Sequence, residues 1–330
     1  MVFPASRDLI NSTSCRRPHL APSVTARAHT AFLSLAQSQT DTGLLLMGNR
    51  LTGVSLIDMG DFPLALSHLE RAVALYVPEE HRSLATWFGG DIGVVALAQW
   101  ARTLWHRGHP DQASKTADKA LRHARQRVHP LTLAHALLHL TLTSVYARQA
   151  READGRANEL VAISNEHRFA AFLGWGLIFQ GWALALGGQT KVAVERIRDG
   201  ITATRSTGAR WDEPLFLGLL AESLALAGAV EEGLEALAEA LAIAKSSGAR
   251  GNDAELHRSR GDLLQRLPSP DWTEVEASFR TSLALARNQG TRGFELRAAV
   301  SLARLWRDQG KLADARDLLA PVYGWFNSFT

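Results

Sequence analysis

The sequence predicts an all-α solenoid: about seven helical hairpins stacked into a right-handed superhelix. Three observations carry this reading. Apolar residues recur at i, i+3, i+4 and i+7 along most of the 330 residues, the spacing of one helix face, with no sustained alternating strand pattern. Short turns break the helical stretches into pairs, at Gly60, Gly108, Ala150, Gly188, Gly228, Pro270 and Gly310. Successive turns lie 48, 42, 38, 40, 42 and 40 residues apart. A repeat of that size marks helix pairs that bury their apolar faces only against neighbouring pairs.

The elements follow in chain order. Residues 1–23 are aperiodic and contain Pro, Ser and Arg, so an irregular N-terminal segment is expected there. The repeat domain spans 24–326, and 327–330 form a short tail. Residues 24–39 read as a second helix without its first. The later hairpins carry residues that are nearly all small seven before, five after and twelve after the turn. The first copy has Gly53, Ala65 and Ala72, the fourth Gly181, Ala193 and Gly200, the fifth Ala221, Gly233 and Ala240. Counted from Ala150, the same places are Thr143, Gly155 and Ala162. Two helices approach closely only where side chains are short. Larger apolar residues fill the gap nine after the turn, as in Leu69, Ile197, Leu237 and Phe279. Second helices such as 231–244 set an apolar stripe opposite charges. Gly208, Gly248 and Gly290 follow second helices as C-terminal caps. Asp91, Asp253 and Asp271 are placed to cap the helices that follow them.

Composition narrows the function classes. Hydrophobic residues are 46% and charged residues 21%, a core-forming balance. No run of about 18 uninterrupted apolar residues could span a membrane, and residues 1–21 hold no apolar block of signal-peptide length. The single cysteine, Cys15, makes no internal disulfide or thiolate zinc cage, so the cytoplasm is the expected location. Net charge is +3, and 36 basic residues are interspersed with 33 acidic ones. Direct nucleic-acid binding needs clustered positive charge, so none is expected.

Catalytic patterns are missing. No G-x-x-x-x-G-K-[ST] phosphate loop and no G-x-S-x-G elbow occurs. No catalytic residue, cofactor or metal is therefore expected. His135 and His139 lie four apart on a helix after His129, but a metal would need further ligands. They are expected at a helix interface. Glu213, Glu255 and Glu295 each stand fifteen before a turn, in the first turn of a helix, where a carboxylate complements the helix dipole.

The spacing of small residues resembles the tetratricopeptide repeat, with Gly60-Asp61-Phe62, Ala65, Leu69 and Ala72 as the cleanest copy. More specific stretches include Gly108-His109-Pro110-Asp111-Gln112-Ala113, Gly181-Trp182-Ala183 and Ala254-Glu255-Leu256-His257-Arg258. The strongest are Ser301-Leu302-Ala303-Arg304-Leu305-Trp306 and Leu318-Leu319-Ala320-Pro321-Val322-Tyr323-Gly324-Trp325-Phe326. Over roughly 27–326 these resemble the C-terminal repeat region of large bacterial signalling proteins. In those, a class III adenylate/guanylate cyclase or DNA-binding domain precedes a P-loop ATPase module. The resemblance implies a regulatory sensor module, with any cyclase or ATPase activity in domains outside this chain.

In such a superhelix one helical stripe lines the concave face. Here that stripe places Arg102, Trp175, Trp182, Glu222, His257, Arg260, Arg297 and Arg304 in a candidate groove. Trp100, Trp105 and Trp306 fall on the stripe that packs between helices. An aromatic floor with Arg and Glu above it suits a protein segment or a small effector. The expected function is thus non-enzymatic recognition within a signalling protein. A stand-alone adaptor that scaffolds other proteins is the second reading.

Overall fold

A computed structural model describes residues 22–39, 41–81, 83–85, 89–126, 129–208 and 212–327. The expected irregular segment, apart from residues 22 and 23, and residues 328–330 of the tail lie outside the described residues. Among the described residues there are sixteen helices and no strand. Helix α1 (Pro22–Gln39) starts two residues before the expected boundary and packs on α2. Seven hairpins follow, the number the periodicity predicts. Hairpin 1 is α2 (Thr42–Met59) and α3 (Phe62–Leu75), trailed by a single turn, α4 (Pro78–His81). Hairpin 2 is α5 (Ile92–His106) and α6 (Pro110–Gln126); hairpin 3 is α7 (Pro130–Tyr146) and α8 (Ala150–His167). Hairpin 4 is α9 (Ala170–Leu186) and α10 (Thr190–Ser206); hairpin 5 is α11 (Glu213–Leu226) and α12 (Val230–Ser247). Hairpin 6 is α13 (Asp253–Leu264) and α14 (Trp272–Asn288); hairpin 7 is α15 (Arg292–Asp308) and α16 (Leu312–Asn327). No described helix is long and apolar enough to cross a membrane.

One turn motif recurs. Gly188 takes φ 87°, its N–H donates to Ala185 O, and the next N–H, of Gln189, reaches back to Leu184 O. These bonds satisfy carbonyls that the ended helix leaves open. Gly60, Gly108, Gly228 and Gly310 repeat the pattern. In hairpin 3 the residue in this place is Arg148, at φ 62°, with Arg148 N–H donating to Val145 O and Gln149 N–H to Ser144 O. The turn expected at Ala150 is therefore two residues early, because Ala150 is already the first residue of α8. Hairpins 2 to 5 then repeat at an even 40. The register shift also corrects the packed residue: Ala153 is fully buried, whereas Gly155 is exposed with open space around it.

The close approach that small residues permit is visible elsewhere. A Cβ on Gly53 would meet Leu69 Cγ at 2.7 Å, and one on Gly181 would meet Ile197 Cγ1 at 2.5 Å. Seven before the turn thus packs on nine after it, in two separate copies. Asp91 caps α5 through Gly93 and Val94 N–H, and Asp271 caps α14. Asp253 does not cap α13; it lies one residue inside the helix, behind Asn252.

The stack closes on itself. Gly251 N–H donates to Asp58 O at 3.0 Å, joining the end of α2 to the loop before α13. His106 Nδ1 lies 3.2 Å from Thr291 Oγ1, and Arg107 donates to Gly290 O. Tyr146 OH donates to Asn252 Oδ1 at 2.8 Å, and Arg297 Nη1 donates to Tyr146 O at 3.1 Å. Phe294 sits edge-on to Trp105, His106 and Tyr146, with ring centroids 4.9 to 5.7 Å away. Hairpins 1 to 3 therefore dock, by the ends of their first helices, on hairpins 6 and 7. The first helices consequently face one common axis.

Candidate binding site on the inner face

The axis is lined by first-helix residues at repeating distances from the turns. Six before the turn stand Arg102, Trp182, Glu222 and Arg304, from hairpins 2, 4, 5 and 7. Neighbouring copies of such a place are 40 residues apart and touch. Trp182 Nε1 donates to Glu222 Oε2 at 2.9 Å, and Gln99 Nε2 meets His139 Nε2 at 3.1 Å. Two before the turn the chain carries Asp58, His106 and Tyr146 in three successive copies.

Two small cavities open on this axis. The first, about 10 Å³, is lined by Asp58, Arg102, His106, Tyr146, Asp212 and Asn252 among others. Burial pushes Asp58 up to about 8 and Asp212 also above the ordinary range; Asp212 adds to the shift of Asp58, and Arg102 opposes both. The second, about 30 Å³, is bordered by Tyr146, Arg148, Glu222, Asn252, Glu255 and Arg297 among others. A single water needs on the order of 10–15 Å³. The first cavity thus has room for about one water and the second for about two or three, and neither for a peptide.

The second cavity is a paired network. Arg148 bridges to Glu222 at 2.5 Å and lies 5.2 Å over the Trp182 ring. Burial works against ionising Glu222, but Arg148 and the Trp182 indole overcome it and hold the carboxyl down at about 2. This contact accounts for an arginine at a left-handed turn position where five of the other six copies use glycine. Glu255 bonds Arg258 at 2.6 Å and Arg297 at 2.7 Å, and these arginines keep it ionised despite burial.

The structure brings only part of the expected groove together. Glu222 and Arg297 border the second cavity, and Arg102 the first. Trp182 touches the network through its indole N–H but is fully buried in the main core, as is Trp175, which packs edge-on to Phe172. Neither is a groove floor, because the close approach of α9 and α10 at Gly181 draws both rings inward. Arg260 turns to its own second helix and bonds Ser278 and Glu274. Arg304 is exposed on the last hairpin, and His257 is half-buried. His135 and His139 lie at a helix interface, with the His135 ring edge-on to Phe172 at 4.8 Å.

Glu213 and Glu295, besides lying in first turns, each accept from the arginine eight residues earlier, Arg205 and Arg287. Among the described residues no three His, Cys, Asp or Glu side chains cluster as a metal would require. Sequence reasoning did not single out Arg148, Tyr146, Asn252, Asp58 or Asp212. The polar run at Asp58, His106 and Tyr146, in a place where a packing column would be apolar, was the available signal.

Comparison with known proteins supports the fold. No family model matches the chain. A curated but uncharacterized protein of Rhizobium meliloti (strain 1021) is 27% identical over 238 residues, covering 72% of this chain. The chain spans about a quarter of that relative, 23% of its length. Among solved structures, the Rap conjugation gene regulator of plasmid pLS20, in complex with its Phr peptide, matches with TM-score 0.60 and 15% identity. That match covers 87% of this chain and 75% of the regulator. PlcR of Bacillus thuringiensis, in complex with a peptide and DNA, matches with TM-score 0.53 and 12% identity, covering 82% and 98%. Aspartyl phosphate phosphatase F of Bacillus subtilis matches with TM-score 0.53 and 13% identity, covering 88% and 73%. The chain thus has the tetratricopeptide-like helical-repeat fold.

Proposed function

We propose that the chain is a non-enzymatic recognition module in which a protein segment or small effector binds the inner face and shifts the superhelix between closed and open forms. The observation that carries this is the inner face itself: polar, buried, and shut by contacts between hairpins far apart in sequence. A surface kept for packing alone would be apolar, because buried polar groups are costly unless satisfied. A ligand would act by differential affinity for the open form, a population shift. Two of the similar structures hold peptides, which favours a peptide segment as the occupant. The length of the Rhizobium relative suits a regulatory part of a longer chain. By resemblance, its upstream partner is an ATPase-coupled cyclase or DNA-binding regulator.

The test is affinity selection of a displayed random-peptide library on the whole chain, alongside Arg297→Gln. A consensus enriched on the wild type and lost on the variant is the expected result. No enrichment over an unrelated helical solenoid, or equal capture by the variant, would refute the reading.

A further inference from the structure

The charge balance of the inner face is uneven. Around the second cavity, Arg148, Arg258 and Arg297 are each paired with Glu222 or Glu255. On hairpins 1 and 2 two guanidinium groups have no counter-ion. Arg102 is 2% exposed, and its Nε and Nη2 have no hydrogen-bond partner. Asp58 and Asp212 share its cavity, yet neither forms an ion pair with it. Arg50, half-buried on α2, also has an unpartnered Nε and no paired acid among the described residues. Burial pushes it down to about 10, with no carboxylate raising it.

Arg50, Arg102 and the pair His135 and His139 stand on three successive first helices, α2, α5 and α7, with α5 packed on both of the others. His139 feels the field of both Arg50 and Arg102, and His135 that of Arg50. His139 is 3% exposed, and the Nδ1 atoms of both rings are buried without a partner. If His139 Nε2 accepts from the Gln99 amide, its proton sits on Nδ1 and is free to donate. His29, on α1, bonds Ser55 through Nδ1, leaves Nε2 unpartnered and also feels the field of Arg50. Unpaired buried donors of this kind are costly, and a buried charge without a counter-ion more so. Arg50 and His135 are only half-buried, so the cluster is reachable from solvent.

We infer that Arg50, Arg102, His135 and His139 form a binding site for a compact oxyanion, a carboxylate or a phosphoryl group. Guanidinium donors suit both chemistries through charge-assisted hydrogen bonds. The inference deepens the function proposed above, and rests on it for the statement that the anion belongs to the effector.

Inorganic phosphate and acetate, each against chloride at equal ionic strength, are the probes for the full chain. One of them should raise the melting temperature and shift the His135 and His139 ring resonances. A response to phosphate alone assigns a phosphoryl ligand, and a response to acetate a carboxylate. Arg50→Gln and Arg102→Gln should weaken binding about tenfold or more, while Arg316→Gln, exposed on α16, keeps wild-type binding. Without anion, both variants should melt at or above the wild type, since an unpaired buried charge is gone. Unmoved histidine resonances with both anions overturn the inference without recourse to any variant. So does anion binding that survives in both variants. Anion binding without peptide enrichment would keep this site and sink the peptide reading; peptide enrichment without anion binding would do the reverse.

Discussion

Gly155→Ala and Gly181→Ala are the same substitution in consecutive hairpins, and the structure gives them opposite signs. Both glycines lie inside helices, where replacing Gly by Ala gains about 1 kcal/mol of helix propensity. At Gly155, on the exposed side of α8, a Cβ meets nothing within 4 Å, so the gain is kept. At Gly181 the new Cβ would stand 2.5 Å from Ile197 Cγ1 and 2.8 Å from Ala193 O. Ile197 can turn aside, but the carbonyl belongs to the backbone of α10. The hairpin must therefore spread, and overpacking of this kind costs roughly 1–3 kcal/mol. The net effect is a loss of up to about 2 kcal/mol. Urea unfolding followed by circular dichroism would measure both variants, and hydrogen exchange in α8 and α9 would place the effect in the right hairpin. Equal destabilisation by the two would refute the register. It would mean that Gly155 packs against its partner helix, as a turn at Ala150 requires, and that Arg148 is not the turn residue.

Three further outcomes follow. Glu222 is held at about 2, below its ordinary 4.5, so its ionisation stabilises the fold above pH about 4.5. That contribution, on the order of 3 kcal/mol, should fade as pH falls from about 4.5 toward 2, and Glu222→Gln should flatten this part of the pH–stability curve. Asp58 is shifted the other way, to about 8, so what its neutral form contributes is fully present below pH about 4 and is lost as pH rises through about 8. X-ray scattering should show the ring loosening over that range, and Asp58→Asn should stay compact throughout. Phe294, 1% exposed among Trp105, His106 and Tyr146, joins the two ends of the stack. Phe294→Ala should cost about 3–5 kcal/mol and increase the radius of gyration; an unchanged radius would show that the ring is closed by other contacts.

The hairpins were legible because each is a local object. A helix period, a glycine able to take a positive φ, and a small residue facing Leu69 or Ile197 are all written within about 40 residues. The same locality explains the contacts between Trp182 and Glu222 and between Gln99 and His139, one repeat apart. Arg148 broke the reading for a physical reason. Its turn gives up glycine for an arginine that a distant carboxylate needs, and the next small residue, Ala150, took its place in the count. The tryptophans misled differently: the stripe located them on the correct helix, but their size sent them into the core rather than onto the axis.

Closure of the superhelix was not legible at all, because it depends on residues 106 and 291, or 146 and 252, meeting across the axis. A small error in pitch per repeat, summed over five hairpins, decides whether they touch or pass. Closure also decides what the inner face can do. In the function proposed above, a segment too large for cavities of about 10 and 30 Å³ would bind only the fraction of molecules that are open, and its apparent affinity would fall by that fraction. In that reading the closing contacts outside the two cavities, Arg107 to Gly290 and Phe294 on Trp105, set affinity without touching the ligand. A variant that weakens them should bind an effector more tightly while being less stable. A preformed groove would show no such opposition, so the sign of that correlation separates a gated sensor from a simple docking surface.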